Sequence, residues 1–245
     1  MKPVHIGLNA QLLSLGQSYR GAGISWYIFN LIKNLPSVSP DHFLYSVFLS
    51  DRAFESQANG VSLRFTQLPT HRPLIRIFWE QFIQPAVLKR SGTDLLHALA
   101  FVAPVIGSTP FVVTVFDLSF MRFPDAFRPF NRWYLRQFTD LSARRARAVI
   151  TISESTRRDV INLLNLPASQ VHTIYCGVDE NFRPMSPADI AAFRATRSLP
   201  EEFILFLGTL EPRKNVDGLI KAYANWHKAD PKALPLVIAG GKGWY

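Results

Sequence analysis

A chain of 245 residues has room for one large domain or one and a half. Apolar residues make up 48% and aromatic residues 13% against only 18% charged, which excludes intrinsic disorder and supplies a packed core. The net charge of +9 points to an anionic partner such as nucleotide phosphates, anionic lipid or nucleic acid, and the single Cys176 excludes an internal disulfide and fits a reducing compartment.

Met1-Lys2-Pro3 leads directly into a short apolar strand, Val4 to Leu8, so no signal peptide is expected. A polar loop follows and ends in Arg20-Gly-Ala-Gly-Ile24. Ile24, Ile28, Leu31, Ile32 and Leu35 then recur at helical spacing and predict an amphipathic helix. Gly21 and Gly23 at its start allow backbone N–H groups to approach a ligand, and they serve equally as a loop hinge. The loop is too long for a dinucleotide fingerprint, and the third glycine is missing.

Phe43 to Leu49 and Val61 to Leu68 read as further strands. Leu74 to Lys89 reads as a helix with Ile77, Phe78, Phe82 and Ile83 on its buried side and a kink or break at Pro85. Leu95 to Phe116 carries no Asp, Glu, Lys or Arg, which raises a membrane-spanning helix. Pro104, Gly107, Ser108, Thr109 and Pro110 interrupt it, and two short buried strands around a turn fit better. His97 and Asp117 then fall at carboxyl ends of strands, where α/β folds place function. Each has a structural alternative: His97 as a satisfied core residue, Asp117 as the cap of the next turn.

From Arg122 to Arg158 the chain is strongly basic, with Phe127, Phe130, Trp133, Tyr134 and Phe138 interleaved. A solvated face with an aromatic core stripe, docking on an anionic membrane surface, and nucleic-acid binding compete here; no motif supports the last. Ala148 to Ile152 is a buried strand, Ser153 caps a following helix, and Val171 to Tyr175 is the next strand. Residues 181–200 hold three prolines and form a linker with a lead helix. Strands alternating with helices predict an α/β fold with a mostly parallel, doubly wound sheet.

The second half centres on Phe203 to Tyr223: a buried strand to Leu207, a turn at Gly208, and a helix opening near Asn215. Arg213 and Lys214 lie between strand and helix, beside unpaired helix N–H groups. Two cations there suit a diphosphate, and a basic surface loop is the bland alternative. A last strand, Leu236 to Ala239, precedes a glycine-rich end.

Gly208-Thr-Leu-Glu-Pro-Arg-Lys-Asn215 followed by a helix resembles the start of the C-terminal domain of the family-4 glycosyltransferases. Thr151-Ile-Ser-Glu-Ser155, Gly177-Val-Asp179 and Phe182-Arg-Pro184 resemble the same family. The resemblance implies a GT-B fold with two Rossmann-like domains, here 1–180, a linker at 181–200, and an incomplete second domain at 201–245 in what looks like a truncated protein. It implies a retaining transferase moving a sugar from a nucleotide-sugar donor to a glycan or lipid-linked acceptor. GDP-mannose is the expected donor, because the Leu-Glu-Pro-Arg-Lys-Asn run is close to that of mannosyl-transferring members. Lys214 would hold the donor diphosphate. Arg213 would assist, because Thr209 stands where many members carry an arginine, and Gly21 and Gly23 match the glycine loop that faces the donor phosphates.

Val112-Val-Thr-Val-Phe-Asp-Leu-Ser-Phe120 resembles the family strand that ends in His-Asp-Leu-Ser-Phe, whose histidine contacts the reacting sugar. Phe116 takes that position here and offers no hydrogen bond, which leaves Asp117 and His97 as the catalytic candidates. No Asp-x-Asp pair occurs, so neither a metal nor any cofactor besides the nucleotide-sugar substrate is expected. The expected location is cytoplasmic, with the membrane reading adding peripheral contact at the inner membrane face. Two rivals stay open: a catalytically inactive fragment or binding remnant of such an enzyme, and a sugar-nucleotide epimerase.

Overall fold

The computed structural model describes residues 2–16, 23–39, 41–54 and 60–241. They divide into two compact units, Met1–Cys176 and Gly177–Tyr245.

In the first unit, β1 (Val4–Asn9), β2 (Phe43–Leu49), β3 (Val61–Phe65), β4 (Leu95–Ala98), β5 (Phe111–Val115), β6 (Ala148–Thr151) and β7 (Val171–Thr173) form one sheet. Their order is β3-β2-β1-β4-β5-β6-β7, and every neighbouring pair is parallel. The order reverses between β1 and β4. At such a point the connections leave in opposite directions and open a crevice at the carboxyl ends of the strands.

The side-chain alternation of β2 shows how both faces are covered. Val47 and Leu49 pack with Leu8 and with Ile28 and Ile32 of α1 (Gly23–Val38). Phe48, between them, points the other way and joins a cluster holding Leu88, Leu96, Val113, Ala143, Val160 and Leu164. That second face is covered by α3 (Gln84–Arg90), α5 (Pro129–Arg145) and α6 (Glu154–Leu164). Burying a leucine such as Leu88, 1% exposed, contributes roughly 1.5–3 kcal/mol. Gly7 lets this happen at the sheet centre, because a Cβ there would lie 3.0 Å from the Phe48 ring and 3.2 Å from Leu88.

α6 is closed at both ends by its own sequence. Ser153 accepts a hydrogen bond from the Thr156 N–H at 3.1 Å, and Asn165 takes the left-handed conformation at the far end. β4 and β5 are the two strands expected in the uncharged stretch, paired in parallel with Leu96 opposite Phe111. Residues 99–110 therefore carry the chain back to the starting edge of the sheet. No helix among the described residues is long and apolar enough to cross a membrane.

One helix departs from its expected pattern. α2 (Pro73–Phe78) runs through a π turn (Trp79–Ile83) into α3, and Pro85 sits in the first turn of α3 without breaking the rod. Phe78 and Phe82, expected inside, are 53% and 61% exposed, while Trp79, Glu80, Gln81 and Gln84 are buried. The extra residue of a π turn rotates everything beyond it relative to the α-helical register, and an extrapolated stripe then names the wrong side.

In the second unit, α7 (Pro187–Arg197) starts at Ser186, which accepts from the Asp189 N–H. α7 falls within the residues expected to be linker. β8 (Ile204–Leu207) and β9 (Leu236–Ala239) pair in parallel around α8 (Val216–Ala229). Just past the strand ends the two backbones nearly touch. A Cβ on Gly240 would lie 1.8 Å from the Gly208 carbonyl oxygen, so no other residue fits there.

Candidate active site

The carboxyl edge of the first sheet carries His97 and Asp117, and the second unit carries Arg213 and Lys214. His97, the third residue of β4, is 9% exposed. Its Nε2 shares a hydrogen bond of 2.9 Å with Thr114 Oγ1 of β5, and Thr114 Oγ1 shares another of 3.2 Å with the Tyr27 hydroxyl of α1. Burial makes a charged imidazole costly and pushes the His97 pKa down to about 4, so it is neutral at physiological pH. The same burial raises the Tyr27 pKa. This chain of three groups lies on the α1 side of the sheet and ties the first turns of α1 to β4 and β5.

Phe116, directly after β5, packs edge-to-face on Tyr27 with ring centres 4.9 Å apart, and lies 5.7 Å from the Phe101 ring. Phe101 has a φ of 56°, a costly conformation for a bulky side chain. Its N–H is held by the Thr114 carbonyl at 2.8 Å. Where a hydrogen-bonding histidine is the family expectation, this protein has an aromatic cluster. Asp117 accepts from the backbone N–H of Ser119 at 2.9 Å and from its hydroxyl, which opens the short helix α4 (Ser119–Arg122). His97 and Asp117 thus have separate partners, and no hydrogen bond among the described residues joins them. Gly23 is the first residue of α1, and open space surrounds the position a Cβ would take; Gly21 lies outside the described residues.

Reasoning from the sequence passed over Glu80. It belongs to the π turn, is 5% exposed, and accepts from Asn9 Nδ2 at 3.2 Å, Asn9 being the last residue of β1. Arg76 Nε lies 3.9 Å from its other oxygen. Burial raises the Glu80 pKa, against the opposing pull of Arg76 and of the Asn9 hydrogen bond. The available signal was the pair of consecutive polar residues Glu80-Gln81 inside an otherwise apolar helical run.

In the second unit, a 3-10 turn (Pro212–Lys214) joins the end of β8 to α8. Asn215 closes the turn with a φ of 50°, and its side chain lies against Gly218. Arg213 is paired with Glu211 at 2.8 Å, which also orients it. Lys214 is exposed and has no ion pair among the described residues. The first N–H groups of α8 stand beside it without intrahelical partners, so positive potential collects at this turn.

Residues 21–182 match the profile of Glycosyltransferase Family 4. The chain belongs to that family. Among curated family relatives, O-antigen chain mannosyltransferase B of Escherichia coli is 30% identical over 135 residues, covering 54% of this chain and 35% of that protein. Serotype-specific mannosyltransferase WbdA, also of Escherichia coli, is 33% identical over 112 residues, 45% of this chain and 14% of that one. This family-4 chain therefore aligns with about a third or less of the length of these relatives. Among solved structures, Anabaena Alr3699/HepE in complex with UDP superposes with a TM-score of 0.61 at 22% identity, covering 98% of this chain and 62% of that one. The same protein in complex with UDP-glucose gives 0.60 at 20%, with coverage of 98% and 69%. At this identity the likeness establishes the fold, α/β of the GT-B type. The family match covers the His97, Phe116 and Glu80 region and ends before Lys214.

Proposed function

We propose that the protein acts in sugar transfer from a nucleotide-sugar donor, with retention of configuration, to a glycan or lipid-linked acceptor. A nucleotide-sugar donor is supported by a fold neighbour solved with UDP and UDP-glucose, and GDP-mannose is the donor in this reading because relatives are named mannosyltransferases. The observation that carries the reading is the turn after β8: an exposed Lys214, without an ion pair among the described residues, beside open helix N–H groups. The departing diphosphate gains negative charge as the glycosidic bond breaks, and a fixed cation and backbone donors stabilise that charge more than they stabilise the intact donor. Arg213 contributes once the diphosphate competes with Glu211 for its guanidinium. With retention, the leaving phosphate oxygen accepts the proton of the attacking hydroxyl, so the protein need supply no carboxylate base and no metal ion.

Phosphorus NMR of GDP-mannose titrated with the protein tests this reading at the diphosphate itself. Lys214→Ala is expected to weaken binding about tenfold or more, the loss of one charge-assisted contact. An unchanged dissociation constant would remove Lys214 from the donor site.

A second reading, a binding module without transfer, is favoured by Phe116, which brings an aromatic ring rather than a donor atom to the strand end. Transfer of mannose to a mannose-terminated acceptor would end it. We further propose a cytoplasmic protein that meets the anionic inner membrane face through α5. Its exposed Phe130 and Trp133, 50% and 54% accessible, stand among exposed Arg128, Arg132 and Arg136.

A further inference from the structure

Among the described residues of the second unit, one alone is buried, and it is a carboxylate. Glu211 is 6% exposed. Its main chain is held on both sides: the Leu210 N–H donates to the Gly241 carbonyl at 2.9 Å, and the Glu211 carbonyl accepts from the Lys214 N–H at 2.9 Å. Its side chain, 4% exposed, accepts from Nη2 of Arg213 at 2.8 Å. Arg213 Nε and Nη1 make no hydrogen bond among the described residues, so the guanidinium is fixed at one end and open at the other.

The fold gains little from this pair. The Arg213 side chain is 30% exposed, where solvent screens the attraction, while the buried carboxylate has given up its water. A turn whose only task was to gather positive charge would be more cationic with glutamine at 211, which keeps the acceptor oxygen and carries no charge. As it stands, Arg213 and Lys214 are opposed by one carboxylate, and a single net positive charge remains in the turn.

Resting on the diphosphate reading of this turn, we propose that Glu211 is a positioning and selectivity residue. It aims the Arg213 guanidinium, and by cancelling one of two cationic charges it moderates the hold on a trianionic nucleoside diphosphate relative to a dianionic nucleotide sugar. The two ligands differ by one charge. A nucleotide sugar has one negative charge on each phosphate; once the sugar has left, the terminal phosphate ionises a second time, with a pKa of about 6. Coulomb attraction scales with ligand charge. Two uncompensated cations would therefore favour the product over the donor, and the product would stay in the site. One carboxylate against the guanidinium narrows that difference. The direction of Arg213 acts separately, since an aimed guanidinium serves both ligands alike.

The test is calorimetric titration of GDP, GDP-mannose and inorganic pyrophosphate, in mildly alkaline buffer, into the wild type, Glu211→Gln, Glu211→Ala and Arg213→Gln. The readout is the ratio of the GDP-mannose Kd to the GDP Kd, which a purely structural role for Glu211 would leave unchanged. Glu211→Gln keeps an oxygen for Arg213 and removes the charge; GDP is expected to gain about threefold or more over GDP-mannose. Glu211→Ala also releases the guanidinium and is expected to bind both nucleotides more weakly than Glu211→Gln. Arg213→Gln changes an exposed side chain and keeps the fold if the Glu211 variants do not. With the carboxylate then unopposed, the preference for GDP is expected to drop about threefold or more. The same ratio in the wild type and every variant would overturn the assignment. The two readings fail separately. Pyrophosphate binding that strengthens in Glu211→Gln, without GDP-mannose binding in any form of the protein, leaves Glu211 its role in the turn and ends the donor reading. Lys214-dependent GDP-mannose binding, with a ratio indifferent to residue 211, does the reverse. No binding of any of these ligands overturns both.

Discussion

His97 shows what a single sealed side chain does to the whole fold. Its pKa in the folded protein is about 4 because burial disfavours the cation, whereas an unfolded chain titrates near 6.5. Between those values the unfolded chain binds more protons. The stability tied to a neutral His97 is therefore fully present above about pH 6.5 and lost as pH falls towards 4, on the order of 3 kcal/mol in all. Glu80 has the opposite sign. Its raised pKa adds stability at acidic pH that disappears as pH rises through that pKa, so it offsets part of the acid loss. His97→Gln can still bond Thr114 but cannot titrate. In urea unfolding, the wild type is expected to lose about 2 kcal/mol between about pH 7.5 and pH 5, and the variant much less. Equal losses would mean that His97 is hydrated or charged in the folded protein.

The helical rod from Pro73 to Arg90 sets the limit of what sequence periodicity reveals. A 3.6-residue stripe through Ile77, Phe78, Phe82 and Ile83 is a sound reading of the letters, because hydrophobic faces normally follow that period. The π turn changes the period in the middle, and nothing local in an apolar run announces it. The energetic consequence can be measured. Trp79→Ala empties a buried aromatic site and is expected to cost about 3–5 kcal/mol, while Phe82→Ala, on the solvent side, stays within about 0.5 kcal/mol. Comparable losses for the two would restore the regular register. Elsewhere the elements were legible for physical reasons. β1, β5 and β8 are short, mostly apolar runs between turn residues, and α6 is bracketed by the Ser153 side chain and the left-handed backbone of Asn165. The parallel order followed from alternating strands and helices. Of the candidate residues, Phe116 after β5 and Lys214 in the turn after β8 were visible because motif and element boundary coincide. Glu80 was not, since its surroundings come from Asn9, which lies far from it in sequence and comes near only in the fold.

At the scale of the molecule, a net charge of +9 has to be divided between cations that hold the fold and cations left for a partner. Arg122 pairs with Asp159, and Arg144 with Asp140 and the Leu164 carbonyl. Arg157 donates to the carbonyls of Val171 and Ala168. These three belong to the structure. Arg128, Arg132 and Arg136 make no ion pair among the described residues, and their spacing of four puts them along one side of α5 and its N-cap. Exposed Phe123, Phe130 and Trp133 lie in the same segment. Cations with aromatic rings at the surface match the interfacial layer of an anionic bilayer, where the headgroups neutralise the first and the acyl boundary takes up the second. Each basic residue near such a surface contributes about 1 kcal/mol, so reversing two in Arg132→Glu/Arg136→Glu should weaken binding more than tenfold. Co-sedimentation with vesicles containing phosphatidylglycerol is expected to capture the protein, to fail for the double variant, and to weaken in salt as surface charges are screened. Trp133→Ala should reduce capture without changing its salt dependence. Equal capture by pure phosphatidylcholine vesicles would assign the effect to the aromatic side chains alone. No capture by either would leave the three arginines as a solvated face of the helix.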